Sequence, residues 1–231
     1  LGAGNYANAV FLPIVKSIGG INLIGISSAS GLAAAHAARR YGFQFASSDE
    51  QEVIENMDIN LVAILTRHSS HARLILQALT AGKHVFCEKP MAITSEELAG
   101  IHAYLNSKPN SLLTIGFNRR FAPLAIRLKD FFSNSGEPIS MHYRVNAGPL
   151  PLSHWLHDPL VGGGRIIGEG CHFIDFLTFL TGSQPISVSA TGLPDSGIYS
   201  HDNLHLTYTF SDGSIGTITY LANGDKSFTK E

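Results

Sequence analysis

Leu1-Gly2-Ala3-Gly4-Asn5-Tyr6-Ala7 opens the chain, and its residues 2–7 fit the pattern G-x-G-x-x-A. In this pattern the first glycine makes a tight turn, the second lets the backbone approach a pyrophosphate, and the small third residue allows a helix to pack closely on a strand. The phosphate lies at the N-terminus of that helix. A helix is predicted over 5–17, with Pro13 expected to kink it or end it early, and a strand is predicted over 21–27. The dinucleotide site predicted from this turn comprises Gly2, Gly4, Asn5, Tyr6 and Ala7.

One part of this pattern is absent, namely the acidic residue about 20 positions further on that binds the ribose hydroxyls. Residues 14–48 contain no Asp or Glu, and Ser28 lies at the end of the second predicted strand instead. A carboxylate there would repel the 2′-phosphate of NADP, so its absence permits NADP and does not exclude NAD. We assign Ser28 to the cofactor site. Arg39 or Arg40 could supply a countercharge, or could form the basic end of a helix that faces solvent.

The chain divides into two regions of different pattern. Up to about residue 120, β-branched runs alternate with helical stretches, which is typical of a parallel sheet covered by helices. Beyond it, strands follow one another around turns such as Asp212-Gly213. We predict an α/β protein with a Rossmann dinucleotide-binding domain over 1–120 and an α+β domain over 121–231 with an open, largely antiparallel sheet. The predicted helices are 32–41, 49–56, 70–80, 94–105, 123–132 and one from 166 to Gly182, and the predicted strands are 61–66, 84–87, 112–117, 139–146, 186–191, 205–210 and 214–221.

Both ends of the chain are expected to be truncated. No apolar strand precedes the glycine turn, and a further strand is expected to begin within 226–231. An open sheet face is usually covered, and only 15% of the residues are charged, against the usual ~25%. We therefore expect a homo-oligomer formed through the C-terminal sheet.

The composition limits the classes of function. The 231 residues carry 16 basic and 18 acidic side chains, which argues against nucleic-acid binding and against a polybasic membrane anchor. No apolar run reaches the ~18 residues of a membrane helix, no signal peptide is visible, and two cysteines fit a reducing compartment. A cytoplasmic protein is predicted. Some of the eleven histidines form closely spaced pairs, but none belongs to a ligand cluster of known spacing, so no metal is predicted.

Cys87-Glu88-Lys89-Pro90 lies at the end of a predicted strand, where ligands collect in open α/β sheets. Pro90 disfavours helical torsions at Lys89 and holds it extended. An ammonium group there can stabilise a substrate oxygen as it becomes an alkoxide, or share its proton. The alternative is a solvated lysine in a turn.

The helix predicted from Ile166 is apolar except at Glu169, His172, Asp175 and Thr178. Steps of three place the first three of these along one face of the helix. An imidazole with an ordinary pKa of about 6.5 suits proton removal from an alcohol near neutral pH, and a neighbouring carboxylate could orient it. We assign His172 and Glu169 to catalysis and Asp175 to the substrate site. The alternative is a core histidine in a structural network.

Five stretches of the sequence together match a known family. They are residues 2–7, 66–71 (TRHSSH), 82–90 (GKHVFCEKP), 116–121 (GFNRRF) and the run from the triple glycine at 162–164 to Asp175. Over essentially its whole length the chain resembles the Gfo/Idh/MocA oxidoreductases, and residues 144–169 resemble a subgroup sometimes fused behind a zinc-type alcohol dehydrogenase module.

The resemblance implies hydride transfer between NAD or NADP and a hydroxyl or carbonyl group of a sugar, cyclitol or related polyol. It implies that Lys89 and His172 are catalytic, that Glu88 lies in the nicotinamide pocket, and that Thr66 and His71 line the cofactor cleft. The substrate contacts that it implies are Asn118, Arg120 and Trp155.

The chain departs from the family pattern at Gly168, where many members have an Asp four residues before the histidine. The nearest acid, Glu169, is one residue later, and one residue rotates a helical side chain by about 100°. Two alternatives to a dehydrogenase therefore stay open. One is a glycosidase-type enzyme that oxidises its substrate transiently with NAD, and the other is a non-catalytic dinucleotide-binding protein.

Overall fold

A computed structural model describes residues 1–134, 136–195, 197–225 and 227–231. The chain forms two compact units, Leu1–Gly116 and Phe117–Glu231.

The first unit contains two parallel sheets. Strand β1 (Gly25–Ser27) pairs with β2 (Phe45–Ser47), and β4 (His84–Cys87) lies between β3 (Leu61–Ile64) and β5 (Leu113–Ile115). The start of the chain connects the two sheets, because the Leu65 N–H donates to Leu1 and the Gly2 N–H donates to Ser27, each over 2.8 Å. The carboxyl ends of the strands consequently meet at one edge, as the predicted Rossmann fold requires.

The helices of this unit lie at the predicted positions in the sequence. They are a π-helical turn Ala7–Phe11 continued by α1 (Leu12–Ser17), then α2 (Gly31–Tyr41), α3 (Glu50–Ile54), α4 (His71–Thr80) and α5 (Ser95–Ser107). Gly42 ends α2 in the left-handed region at φ +88°, and Thr94 with Glu97 forms the capping box that begins α5.

Three details of the first unit differ from prediction, and the first is that β2 (Phe45–Ser47) lies where no strand was predicted. The helix runs through Pro13 to Ser17, and the proline lies where the π-helical turn passes into α1. The strand predicted over 21–27 is reduced to β1, although the apolar residues before it still pack against the core through Leu23 and Ile24.

The second unit packs helices on one four-stranded sheet. Its elements are α6 (Pro123–Ser133), β6 (Ser140–Asn146), a π-helical turn Ile166–Gly170 continued by α7 (Cys171–Thr181), β7 (Pro185–Gly192), β8 (Asn203–Phe210) and β9 (Ile215–Leu221). The sheet order is β6-β9-β8-β7. Phe173 and Leu177 of α7 share a buried cluster with Tyr208, Ile218 and Tyr220.

The sheet is mixed and largely antiparallel, as predicted. Neighbours β7, β8 and β9 pair antiparallel as predicted, whereas β6 pairs in parallel with β9 along its whole length. Hairpin turns can be read from the chain, but a pairing between strands separated by about 70 residues carries no local signal. No element is assigned over 227–231, where the further strand was expected, and position 226 lies outside the described residues.

Candidate functional site

The glycine turn at residues 2–7 has the geometry that a phosphate group needs. Gly2 adopts φ +92°, and a Cβ there would lie 2.7 Å from the Leu65 carbonyl oxygen, so only glycine fits. The first helical hydrogen bond runs from the Asn8 N–H to Gly4 over 3.0 Å. The amides before Asn8 therefore have no acceptor within the helix. A Cβ on Gly4 would meet nothing within 4 Å, which leaves this backbone open to an anionic ligand.

The glycine turn also contacts the segment that carries Glu88. The Tyr6 hydroxyl donates to the Glu88 carboxylate, and partial burial followed by this bond raises the pKa of Tyr6 to about 12. The same carboxylate lies 2.8 Å from the point that a Cβ on Gly116 would occupy. Tyr6 is assigned to the site through its place in the turn, but the sequence carries no sign of the contact made by its hydroxyl, because no spacing relates positions 6 and 88.

Ser28 directly follows β1 at the same edge of the unit. Its N–H donates to the Ser47 carbonyl oxygen over 3.3 Å, and its hydroxyl donates to the Ser30 carbonyl oxygen over 2.6 Å. The next acidic residue along the chain, Asp49, caps α3 by accepting from the Gln51 N–H. A partly exposed hydroxyl thus occupies the position that the dinucleotide pattern gives to a carboxylate.

Thr66 and His71 differ in their exposure to solvent. Thr66 is partly exposed after β3 and shares a 2.6 Å hydrogen bond with the Ser70 hydroxyl. His71 has no exposed surface. Its Nδ1 lies 2.7 Å from the Pro90 carbonyl oxygen and its Nε2 lies 3.1 Å from the Thr66 carbonyl oxygen. The implied place of His71 along the cofactor cleft therefore needs correction, since both ring nitrogens already face backbone oxygens.

Lys89 follows β4 and is partly exposed. Its backbone N–H lies 3.3 Å from Glu88 Oε2, and the peptide bond to Pro90 is cis. Glu88 itself is attached to β3 through its N–H, which donates to Ile64 over 2.9 Å. The strand end thus presents Lys89 at the edge where the glycine turn lies.

In the second unit, His172 lies in the first turn of α7 and is partly exposed. Its ring meets the Phe117 ring edge-on, with the centroids 6.2 Å apart. The π-helical turn before it ends with the Cys171 N–H bonded to the Ile166 carbonyl oxygen, five residues earlier. π-turns of this kind are frequent at functional sites.

The Glu169 carboxylate binds three side chains of the same unit. Arg165 Nη2 lies 3.1 Å from Oε2, the Tyr220 hydroxyl donates to the same oxygen, and Lys230 Nζ lies 3.7 Å from Oε1. Burial opposes ionisation of Glu169, but the Tyr220 bond and the two cations outweigh it, so its pKa lies below the usual value. Burial and the bond to Glu169 raise the pKa of Tyr220. The i, i+4 spacing signals the Arg165 contact, whereas nothing in the sequence signals Tyr220.

Two of the residues assigned to the substrate site bind each other. Arg120 Nε donates to Asp175 Oδ2 over 2.7 Å, and its Nη2 donates to Oδ1. Asp175 is buried, while 38% of the Arg120 side chain is exposed. Asn118 begins a 3₁₀ turn that ends at Phe121, and Trp155 begins another beside the His154 ring.

Among the described ranges, no three His, Cys, Asp or Glu side chains lie close enough to hold a metal ion. Within the same part of the chain, no helix has both the length and the apolarity to cross a membrane.

Two family models match the chain. Residues 1–117 match the GFO_IDH_MocA model, described as an oxidoreductase family with an NAD-binding Rossmann fold. Residues 134–226 match the C-terminal domain of the same family.

Individual relatives agree with these matches. A levoglucosan dehydrogenase from Pseudarthrobacter phenanthrenivorans is 32% identical over 184 residues, which are 76% of this chain and 47% of that protein. An inositol 2-dehydrogenase from Rhizobium meliloti is 31% identical over 195 residues, which are 83% of this chain and 56% of that protein. The chain thus spans about half the length of the curated relatives it matches.

Among solved structures, a levoglucosan dehydrogenase in complex with NADH and levoglucosan superposes with a TM-score of 0.84 at 26% identity. The match covers 97% of this chain and 66% of that one.

Proposed function

We propose that this chain, which belongs to the Gfo/Idh/MocA oxidoreductase family, is an NAD(P)-dependent dehydrogenase that acts on a hydroxyl or carbonyl group of a sugar, cyclitol or related polyol. The observation that carries the proposal is the meeting of the glycine turn and the Glu88–Pro90 segment at one sheet edge, joined by the bond from Tyr6 to Glu88. The free amides at the start of the first helix and the residue Lys89 both lie at this edge, which suits a dinucleotide with its diphosphate and its reacting ring.

The residues of this edge fit a nicotinamide dinucleotide. The open backbone at Gly4 would hold the diphosphate, Ser28 would hold the adenosine ribose, and Thr66 and Glu88 would hold the nicotinamide. A bound dinucleotide would supply the hydride acceptor for oxidation of the substrate.

We assign the handling of the substrate oxygen and its proton to Lys89 and His172. The Lys89 ammonium stabilises negative charge on the substrate oxygen as its proton leaves. His172 accepts that proton as general base. Arg120, held by Asp175 but still half-exposed, is available for a substrate hydroxyl, together with Asn118 and Trp155. We infer that Glu169 supports the start of α7 through Arg165 and Tyr220 instead of moving a proton.

The substrate class rests on the relatives, whose names specify levoglucosan and inositols. The direct test is thermal-shift titration with NAD, NADH, NADP and NADPH, followed by absorbance assays of a sugar and cyclitol panel with the best cofactor. We expect a melting shift with NADH and turnover of at least one cyclic polyol. A protein whose melting temperature responds to none of the four would contradict the proposal.

Ser28 is the residue that we expect to decide between NAD and NADP. With a hydroxyl in place of the usual carboxylate, the protein should bind NADH and NADPH with dissociation constants within about tenfold of each other. Ser28→Asp should weaken NADPH binding by at least about tenfold, because like charges ~4 Å apart repel by several kcal/mol near a protein surface. NADH affinity should stay unchanged or improve.

Fluorescence titration of both reduced cofactors measures these affinities. Ser17→Asp, which adds the same charge at the end of α1, is the control and should leave both values unchanged. A wild-type protein that already rejects NADPH would contradict the role given to the Ser28 position.

A second candidate, a dinucleotide-binding protein without turnover, is favoured by one observation. Gly168 cannot supply a carboxylate, and the neighbouring Glu169 carboxylate is engaged by Arg165, Tyr220 and Lys230. This candidate predicts saturable NADH binding with no turnover across the whole polyol panel.

We further propose a homo-oligomer formed through the outer face of the four-stranded sheet. Alternation along β8 and β9 buries Tyr208 and Ile218 and leaves Thr207 and Thr217 facing outward, directly paired with each other. Light scattering at micromolar concentration should give a mass of at least two chains. Thr207→Lys should lower that mass, whereas Ser211→Lys in the β8–β9 turn should not. A monomeric wild-type protein would contradict the proposal.

The free cysteines Cys87 and Cys171 fit a reducing compartment, and we place the protein in the cytoplasm.

A further inference from the structure

The His71 side chain connects two loops at the carboxyl edge of the first unit. Its Nδ1 lies 2.7 Å from the carbonyl oxygen of Pro90, which follows β4, and its Nε2 lies 3.1 Å from the carbonyl oxygen of Thr66, which follows β3. The ring is fully buried. It therefore contacts the backbone beside Lys89 and cannot touch a bound molecule.

The chemistry of the two contacts restricts what the ring can do. Carbonyl oxygens only accept hydrogen bonds, and a neutral imidazole has a single N–H. A neutral His71 donates to one loop, and only the imidazolium form donates to both. The shorter of the two contacts is the one to Pro90, so this loop is the one that the ring holds more closely.

The position of the His71 ring is fixed by the packing of α4, so the ring can restrain the loop after β4. His71 is the first residue of α4, and Leu74, Ile75 and Leu79 of the same helix are buried in the core of the unit. The segment that it contacts is attached to the neighbouring strand through the Glu88 N–H. His71 adds an attachment on the far side of Lys89.

We propose that His71 is a positioning residue, which fixes the backbone at Pro90 and thereby sets the direction of the Lys89 side chain. The inference rests on the proposed function, because it assumes that Lys89 acts on the substrate. It also explains why a histidine at the start of α4 is fully buried with both ring nitrogens facing backbone oxygens.

Two substitutions of His71 separate the two contacts. The amide nitrogen of Asn is as many bonds from Cα as Nδ1, so His71→Asn keeps a donor for Pro90. The amide nitrogen of Gln corresponds to Nε2, so His71→Gln keeps a donor for Thr66 only. We expect kcat with NAD and a cyclic polyol to stay within about threefold for Asn and to fall about 10- to 100-fold for Gln, because a displacement of ~1 Å can cost up to 10² in rate. The KM for NAD should change little in either.

Leu74→Ala is the matched control, since it removes a buried side chain from the same helix without touching Pro90. It should lower the melting temperature and leave kcat at 25 °C unchanged. If Leu74→Ala lowered kcat as much as His71→Gln does, the proposal would be overturned. Equal kcat values for His71→Asn and His71→Gln would also overturn it.

Amide hydrogen exchange of a peptide covering 87–92 tests the inference without turnover. Exchange at Glu88 and Lys89 should be about tenfold faster in His71→Gln than in His71→Asn, the factor expected for one lost hydrogen bond. If no polyol is oxidised by the wild-type protein, the proposed function fails while this comparison still decides the role of His71. Equal exchange in the two variants would overturn it. The proposal would also be overturned if the His71→Gln protein failed to fold while the Leu74→Ala protein folded.

Discussion

His172→Asn is expected to lower kcat by a factor of about 10²–10⁴, the usual contribution of a general base. Asparagine fills a similar space and keeps a polar group at the start of α7, but it has no nitrogen that can accept a proton near neutral pH. NADH affinity should stay within about twofold, because the residue lies outside the predicted cofactor site. Steady-state kinetics with the best polyol and fluorescence titration of NADH measure the two quantities.

His205→Asn is the control, since His205 lies on β8, where its ring is exposed and bonds the Thr219 hydroxyl over 3.0 Å. It should leave turnover unchanged. Unchanged turnover in a folded His172→Asn protein would make His172 a structural residue, packed against Phe117.

Gly2→Ala should remove about 2–4 kcal/mol from the free energy of unfolding of the first unit. Alanine at φ +92° is strained by about 1–3 kcal/mol. Its Cβ would also lie 2.7 Å from the Leu65 carbonyl oxygen, which forces the backbone apart where the two sheets meet. Urea denaturation followed by circular dichroism measures the loss.

Gly4→Ala is the matched comparison within the same turn. A Cβ at Gly4 meets nothing within 4 Å, so stability should be unchanged or higher by up to about 1 kcal/mol. The added methyl group would occupy the approach to the diphosphate, so the dissociation constant for NADH should rise at least about tenfold. A Gly4→Ala protein with normal NADH affinity would show that the diphosphate does not lie against this turn.

Local signals predicted most of the elements correctly. The capping box at Thr94 begins α5, Gly42 and Gly182 end their helices in the left-handed region, and Asp212-Gly213 turns β8 into β9. Each of these signals acts through contacts between residues a few positions apart, which a single sequence contains in full.

Side-chain partners at the candidate site were predictable only in part. The i, i+4 spacing of Arg165 and Glu169 makes their contact readable from the chain. The hydroxyl of Tyr220 on the same carboxylate, the bond from Tyr6 to Glu88, and the pairing of Arg120 with Asp175 each join positions more than 50 residues apart. Such partners depend on how elements pack.

The amino-acid order alone predicted the parallel sheet of the first unit and the family, which are confirmed, because these depend on short motifs and on the periodicity of apolar residues. It also led to the dinucleotide turn and the two candidate catalytic residues, which stay predictions. Tertiary packing decided that His71 is enclosed between two loops, that the Glu169 carboxylate is engaged within its own unit, and that β6 lies in parallel beside β9. Burial and long-range hydrogen bonds are properties of the folded chain, and no local pattern encodes which distant group will satisfy a given polar atom.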